Sequence, residues 1–449
     1  MKRILTALII IASFSFAGEI ADIFKSDTDQ IIVAALESDE GFERLAELCD
    51  TFGPRFTGSQ NLEDAIDWIL RKMEEDDFTN VHGEKVKVPR WVRGNESLEL
   101  LTPHKKEMHI LSLGGSVGTP KKGIKGDVFV VSSFDNLEAN ADKAKGKIVL
   151  FNIPFTTYRE TVQYRRNGAI AASKVGALAS LIRSVGPFSM NTPHTGNMSY
   201  EDGVRKIPHV AITLEDASMF QRIQDRGGNI AIKLKMDAHY LPDGWSRNVV
   251  AELRGSEFPD EVVVMGGHID SWDVGQGAMD DGGGCVAAWE ALRIIKNLGL
   301  QPKRTIRVVL WTNEENGTRG GNAYRDAHNH ELDDHILAIE SDAGVFSPVG
   351  FGFTGSDAAR KIIKDIAHLL EPIGSNNIGK SGGGADIGPI MREGVPGMGL
   401  NVDGSKYFWY HHTNADAIDK LDKDEFNRCV ATMAIMAYVV ADMDERLPR

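Results

Sequence analysis

Apolar residues recur at helical spacing through the first part of the chain. Between about residues 28 and 73, Ala65, Trp68, Ile69 and Met73 fall on one face, which predicts helices whose shared face is packing surface. From about residue 108 to 235 the pattern changes to short β-type runs, such as residues 127–131 and 148–151, split by Gly and Lys-Gly turns. This texture predicts an inserted β-rich domain. Within it, residues 168–181 are rich in Ala and Gly and read as a small-residue helix packed closely against a sheet.

From residue 248 onward, apolar runs that read as buried strands (residues 262–265, 306–311 and 336–340) alternate with helices at about residues 285–298 and 423–443. The runs show little polar alternation, as expected of strands covered by helices on both faces, and the connections are long enough to return parallel. The predicted fold class is therefore α/β: a doubly wound, mostly parallel sheet flanked by helices and interrupted by the β-rich insert. The expected divisions are residues 1–17, 18–107, 108–235 (the insert) and 236–449 (the catalytic part).

Residues 1–17 change where this fold is expected to work. Lys2 and Arg3 precede an apolar run over residues 4–16, and Ser15 and Ala17 occupy small-residue cleavage positions. The run is shorter than the roughly 20 residues that span a bilayer, so it reads as a signal peptide for a secreted or lysosomal protein. No later stretch is long and apolar enough to span. Sequons at Asn95 and Asn197 suit glycosylation in that setting; a third, at Asn316, lies beside the chemistry below. Cys49, Cys285 and Cys429 allow one internal disulfide at most, so core burial must hold the 449-residue chain together. The net charge of −14 argues against a phosphate-binding surface, and no nucleic-acid partner is expected.

In doubly wound sheets ligands bind beyond the carboxyl ends of the strands, and those positions here are rich in metal-ligand residue types. His268 and Asp270 follow the first run, Glu314 and Glu315 the second, and Asp342 the third. Asp280 and Asp281 precede a buried helix, and His411 and His412 lie near the end. Each has an ordinary reading alone: a solvated acidic loop, a core histidine. Their recurrence at successive strand ends points to a two-metal site, for which imidazole and carboxylate suit zinc. Two dications roughly 3.5 to 4 Å apart need a carboxylate between them. The residues alone leave His411 and His412 as alternatives.

The strings Gly-Gly-His268-Ile-Asp270-Ser-Trp-Asp, Asp280-Asp281-Gly-Gly-Gly and Asn-Glu314-Glu315-Asn-Gly resemble the zinc aminopeptidase and glutamate carboxypeptidase family of co-catalytic metallopeptidases. The resemblance covers nearly the whole mature chain. The Tyr407-Phe-Trp-Tyr410-His411-His412 run and the Tyr438-Val-Val-Ala-Asp442-Met ending are similar to one member of it.

The resemblance implies one zinc on His268 and Asp342, a second on Glu315 and His412, Asp280 bridging, and Glu314 as general base. His412 is favoured over His411 because Thr413 and Asp416 follow it in the family's pattern. Asp270 would hydrogen-bond His268 and fix its tautomer, and Asp281 stands where the family has a cis peptide. Some relatives place an oxyanion-steadying Tyr directly before the last histidine. Here His411 holds that place and Tyr410 sits one earlier, so both are candidate substrate contacts. The glycine-rich segment 381–386 resembles a loop bordering the family's cleft, so Asp386 would touch a substrate ammonium or a group behind the ligands. The insert resembles a protease-associated domain that covers part of the cleft, and a homodimer is implied.

The expected function is hydrolysis of small peptides, dipeptides with a free amino terminus by similarity to that one member. Alternatives are a broader aminopeptidase, a one-zinc glutaminyl cyclase, or a non-catalytic receptor. The five ligand positions and the Glu base are all filled, which favours hydrolysis.

Overall fold

The structure, a computed structural model, describes residues 19–449. The expected signal peptide lies outside the described residues. Two eight-stranded sheets organise the molecule. In the first, strand Phe258–His268 lies between Arg304–Trp311 and His335–Glu340, parallel to both, and His335–Glu340 continues parallel to Gly397–Val402. Antiparallel strands flank this parallel centre: His239–Leu253 with Thr79–Val92 on one side and Pro348–Thr354 on the other. The expected α/β class is borne out.

The apolar runs lack alternation because both faces of the sheet are covered. Val263 and Met265 point into the main core, packed under helices that include Gln60–Glu75, Gly283–Asn297 and Lys423–Asp442. Val262 and Val264 point into a smaller core on the other face, with Tyr324, Ile387 and Ile390. Ala65, Trp68, Ile69 and Met73 are buried in the main core. The helices start at side-chain caps: Ser59 Oγ accepts from the Leu62 N–H, and Asp422 from the N–H groups of Asp424 and Glu425. The three cysteines are buried and unbridged.

Strands of the second sheet run from Glu96–Thr102 to Ala231–Met236, so they begin ahead of residue 108. Its parallel part comprises Ile124–Val131, Ile148–Phe151, Ala179–Arg183 and His209–Ile212. Residues 168–181 are not one helix. Helix Tyr158–Lys174 ends ahead of Gly176, whose φ of +81° suits glycine, and Ala179 to Leu181 already belong to the next strand. This second unit shares its core with the first: Phe56, Trp272 and Val274 pack among its apolar side chains.

Candidate metal centre

The rim begins where strand Phe258–His268 stops. His268 is buried at its last position, with Nε2 3.2 Å from Asp280 Oδ1 and 3.4 Å from Asp342 Oδ1. The other oxygen of Asp280, Oδ2, lies 3.4 Å from His412 Nε2, which is 3.1 Å from Glu315 Oε2. Asp280 thus turns one carboxylate oxygen to each pair. His411 is also close, with Nε2 3.7 Å from Asp280 Oδ2 and its ring stacked on that of His412 at 3.6 Å. Only His412 of the two is also paired with Glu315.

The glycines around His268 and after Asp281 make room for a buried carboxylate. Asp281 accepts from the His268 N–H at 3.0 Å and the Gly284 N–H at 3.1 Å. A Cβ at Gly267 or Gly284 would come within 2.2 Å or 2.5 Å of its oxygens, so neither position tolerates a side chain. The Asp280–Asp281 peptide is cis, as the family resemblance implied. Asp416 holds the same turn from the other side, accepting from the N–H groups of Met279 and Asp280 at 2.7 and 3.2 Å.

Asp270 departs from its expected role. His268 Nδ1 donates to the backbone carbonyl of Asp270 at 2.8 Å, while its Oδ1 stays 3.9 Å from that nitrogen. The carboxylate instead accepts from the Glu314 N–H (3.0 Å), the Glu315 N–H (3.4 Å) and Thr57 Oγ1 (2.8 Å). The main chain of Asp270 orients the histidine, and its side chain fixes the Glu314–Glu315 turn.

Asp386 is 1% exposed, and neither of its carboxylate oxygens has a hydrogen-bond partner. Its N–H and that of Ile387 donate to Glu340 Oε2. At that burial its carboxylate does not open onto the surface. Tyr410 is half-buried against the main core, where its backbone carbonyl accepts from Thr413, and no contact joins its phenol to the carboxylates. Asn95 is exposed and Asn197 half-buried.

Charge at this rim is unbalanced. Burial pushes the Glu314 carboxyl up to about 8, with Asp342, Asp270 and Asp280 adding to the rise against the pull of His268. Burial raises Glu315 and Asp281 well above the ordinary carboxylate range for similar reasons. Asp280 is held below that range: burial opposes ionisation, but the hydrogen bond to His268 and the charges of His411, His268 and Arg165 outweigh it. Asp280 Oδ2 and Glu315 Oε1 are buried without a hydrogen-bond partner. Buried carboxylates in this number, with orphan oxygens and imidazole nitrogens converging within a few ångströms, are the donor set a pair of divalent cations fits.

Several groups that build the site carry no local sequence signal. Arg55, fully buried, donates to the carbonyls of Ile269, Gln276 and Gly277 behind the rim. Arg165, His194 and Thr195 reach it from the second unit. Their contacts are largely to main-chain atoms far away in sequence, which no local motif reports.

Fold and site together define a metallopeptidase, and comparison with known proteins gives the family: residues 248–437 match Peptidase family M28. The chain belongs to this family and is a zinc metallopeptidase. Over 408 residues it is 50% identical to carboxypeptidase Q of Mus musculus, covering 91% of this chain and 87% of that protein. It is also 50% identical to carboxypeptidase Q of Xenopus laevis over 428 residues, 95% of this chain and 91% of that one. Among solved structures, a Peptidase M28 precursor from Shewanella amazonensis SB2B superposes with a TM-score of 0.91 at 35% identity, over 95% of this chain and 99% of that one. BSAP, a zinc aminopeptidase from Bacillus subtilis, shares the fold at 20% identity, with a TM-score of 0.67 over 90% and 95% of the two chains. The resemblance drawn from the His268, Asp280 and Glu314 strings is borne out.

Proposed function

We propose that this chain hydrolyses dipeptides with a free amino terminus at a centre of two zinc ions. His268 and Asp342 hold one ion, Glu315 and His412 the other, and Asp280 lies between them. The observation that carries this reading is the division of Asp280, with Oδ1 toward His268 and Oδ2 toward His412. A zinc pair supplies Lewis acidity for the peptide carbonyl and lowers the pKa of water from about 15.7 towards 7.

Glu314 is the general base. Its backbone is pinned by Asp270, and burial beside like charges gives its carboxyl an affinity for protons suited to accepting one from water. The same carboxyl then returns the proton to the leaving amine. Behind it, Asp386 and Glu340 form a buried acidic floor that helps set the orientation of the rim. His411, stacked on His412 and close to Asp280 Oδ2, lies on the ligand side of the cleft and contacts substrate.

The second unit is an inserted, protease-associated-like domain over residues 108–235 plus the strand at Glu96–Thr102, and it limits the length of peptide admitted. The relatives named carboxypeptidase Q support a peptide as the substrate. We assign the chain to a secreted or lysosomal setting, with glycans at Asn95 and Asn197 and a homodimeric assembly. Among the described residues no helix is long and apolar enough to cross a membrane.

The test is a Glu314→Gln variant, assayed on free and N-acetylated dipeptides and tripeptides. Two zinc ions retained, with turnover of free dipeptides falling by roughly 10² to 10⁴-fold, supports the assignment. Turnover near wild type removes Glu314 from the role of base. Stepwise trimming of tripeptides by the wild type would make the chain a broader aminopeptidase.

A further inference from the structure

The His411–His412 pair is gripped from outside the stretch that matches the peptidase family. Three groups of the second unit reach it. His194 Nδ1 donates to the His411 carbonyl at 2.8 Å, the Thr195 N–H donates to the His412 carbonyl at 2.9 Å, and Arg165 Nη1 lies 3.4 Å from His412 Nδ1. The grip is built in. His194 is 2% exposed, its N–H donates to Ser184 Oγ at 2.9 Å, and a Cβ at Gly186 would come within 2.7 Å of its ring.

What it holds is a backbone under strain. His412 sits at φ +60°, a region that costs a non-glycine residue on the order of 1–3 kcal/mol and persists only where surrounding contacts impose it. The two clamped carbonyls flank that residue's own φ and ψ, so they fix the direction in which its imidazole leaves the chain. Nδ1 faces the guanidinium and Nε2 faces Asp280 and Glu315.

We infer that His194 is a positioning residue: its ring, acting through the His411 carbonyl and with the Thr195 main chain, holds His412 in its ligating orientation, so the second unit completes one half of the metal pair. This rests on the proposed reading of His412 as a ligand. The other half, His268 and Asp342, has no such dependence, because His268 is oriented by the Asp270 carbonyl within the first unit. His194 is the group to test because burial depresses its basicity to about 4, with the His411 carbonyl opposing that, so its removal leaves the charge near the metals unchanged at neutral pH.

The experiment uses the zinc-loaded full-length protein, dialysed against graded chelator, with zinc per chain read by mass spectrometry and kcat and KM measured on a dipeptide. His194→Phe removes the donor and keeps a ring. His194→Asn keeps an N–H near the position of Nδ1. In His194→Phe, one of the two zincs is expected to leave at roughly 10-fold lower chelator strength, within the range for loss of a group that orients a ligand, while the other is unmoved. The fall in activity appears in kcat rather than KM, and His194→Asn recovers most of both effects. A His194→Phe titration matching wild type for both zincs overturns the inference, as does equal weakening of the two. His412→Ala separates the layers: if it keeps both zincs, the ligand assignment fails rather than the clamp. Should His194→Phe not fold, Ser184→Ala, which loosens His194 through its N–H, is expected to shift the same zinc by a smaller factor, and no shift there is equally fatal.

Discussion

Two buried charged clusters flank the parallel centre of the first sheet, and they are built on opposite principles. One joins Arg307 and Glu252, which face each other across neighbouring strands with Nε and Oε1 2.7 Å apart. Arg307 also reaches Glu331 at 3.0 Å and the Tyr324 hydroxyl at 2.9 Å, while His328 sits between Glu84 at 2.6 Å and Glu331 at 2.5 Å. Each carboxylate there meets a basic side chain, and one buried oxygen, Glu84 Oε2, is left without a hydrogen-bond partner. The other cluster, at the strand ends, collects Asp280, Asp281, Glu314, Glu315, Asp342 and Asp386 around His268 and leaves oxygens of Asp280, Glu315 and Asp386 without partners. Buried charge that is paired belongs to the fold; buried charge left unpaired is waiting for a ligand that brings the opposite sign.

Substitutions in either cluster test this difference. Asp280→Ala should have the largest effect, abolishing turnover and lowering zinc content together, because the two proposed zinc ions would lose the charge they share; unchanged zinc content would remove Asp280 from its proposed bridging place. Arg307→Met strands Glu252 and Glu331, and should lower unfolding free energy by about 3–5 kcal/mol in denaturant titrations while leaving zinc stoichiometry alone. Zinc loss in that variant would mean the two clusters are coupled. Glu315→Gln should act with opposite signs in the two states. It raises the melting temperature of the metal-free protein by relieving crowded negative charge, and lowers that of the zinc-loaded one.

The smallest expected effect is on pH dependence. Burial raises the carboxyls of Glu314 to about 8 and of Glu340 and Asp416 to about 7, with neighbouring acids adding to each. In the unfolded chain these groups titrate near 4. The metal-free native state therefore binds more protons than the unfolded state between those limits, and its stability falls as pH rises from about 4 through 7 to 8. Bound zinc supplies the missing charge, so the gain in melting temperature on adding zinc should be larger at pH 8 than at pH 5. An equal gain at both would show that the rim is already neutralised by something else.

Much of this was written in the order of residues. Apolar runs without alternation announced a sheet covered on both faces, and acids and histidines placed just past those runs announced the rim. The sequence pattern failed where structure depends on a single turn or on main-chain contacts. Residues 168–181 looked like one helix because Ala and Gly fit both a close-packed helix and the turn and strand that follow Lys174. Asp270 was expected to meet His268 through its side chain, whereas the carbonyl does so and the carboxylate serves Glu314 and Glu315. His194 and Thr195 carry no signal, because they act on carbonyls more than two hundred positions away, as the 217-residue separation of His194 and His411 illustrates.

The most direct test of the account is a crystal structure of the zinc-loaded protein with anomalous data at the zinc edge. It should show two peaks roughly 3.5 to 4 Å apart with Asp280 between them, His268 and Asp342 on one side and Glu315 and His412 on the other. A single peak at full occupancy, or a pair that leaves Asp280 outside its first coordination sphere, would contradict it.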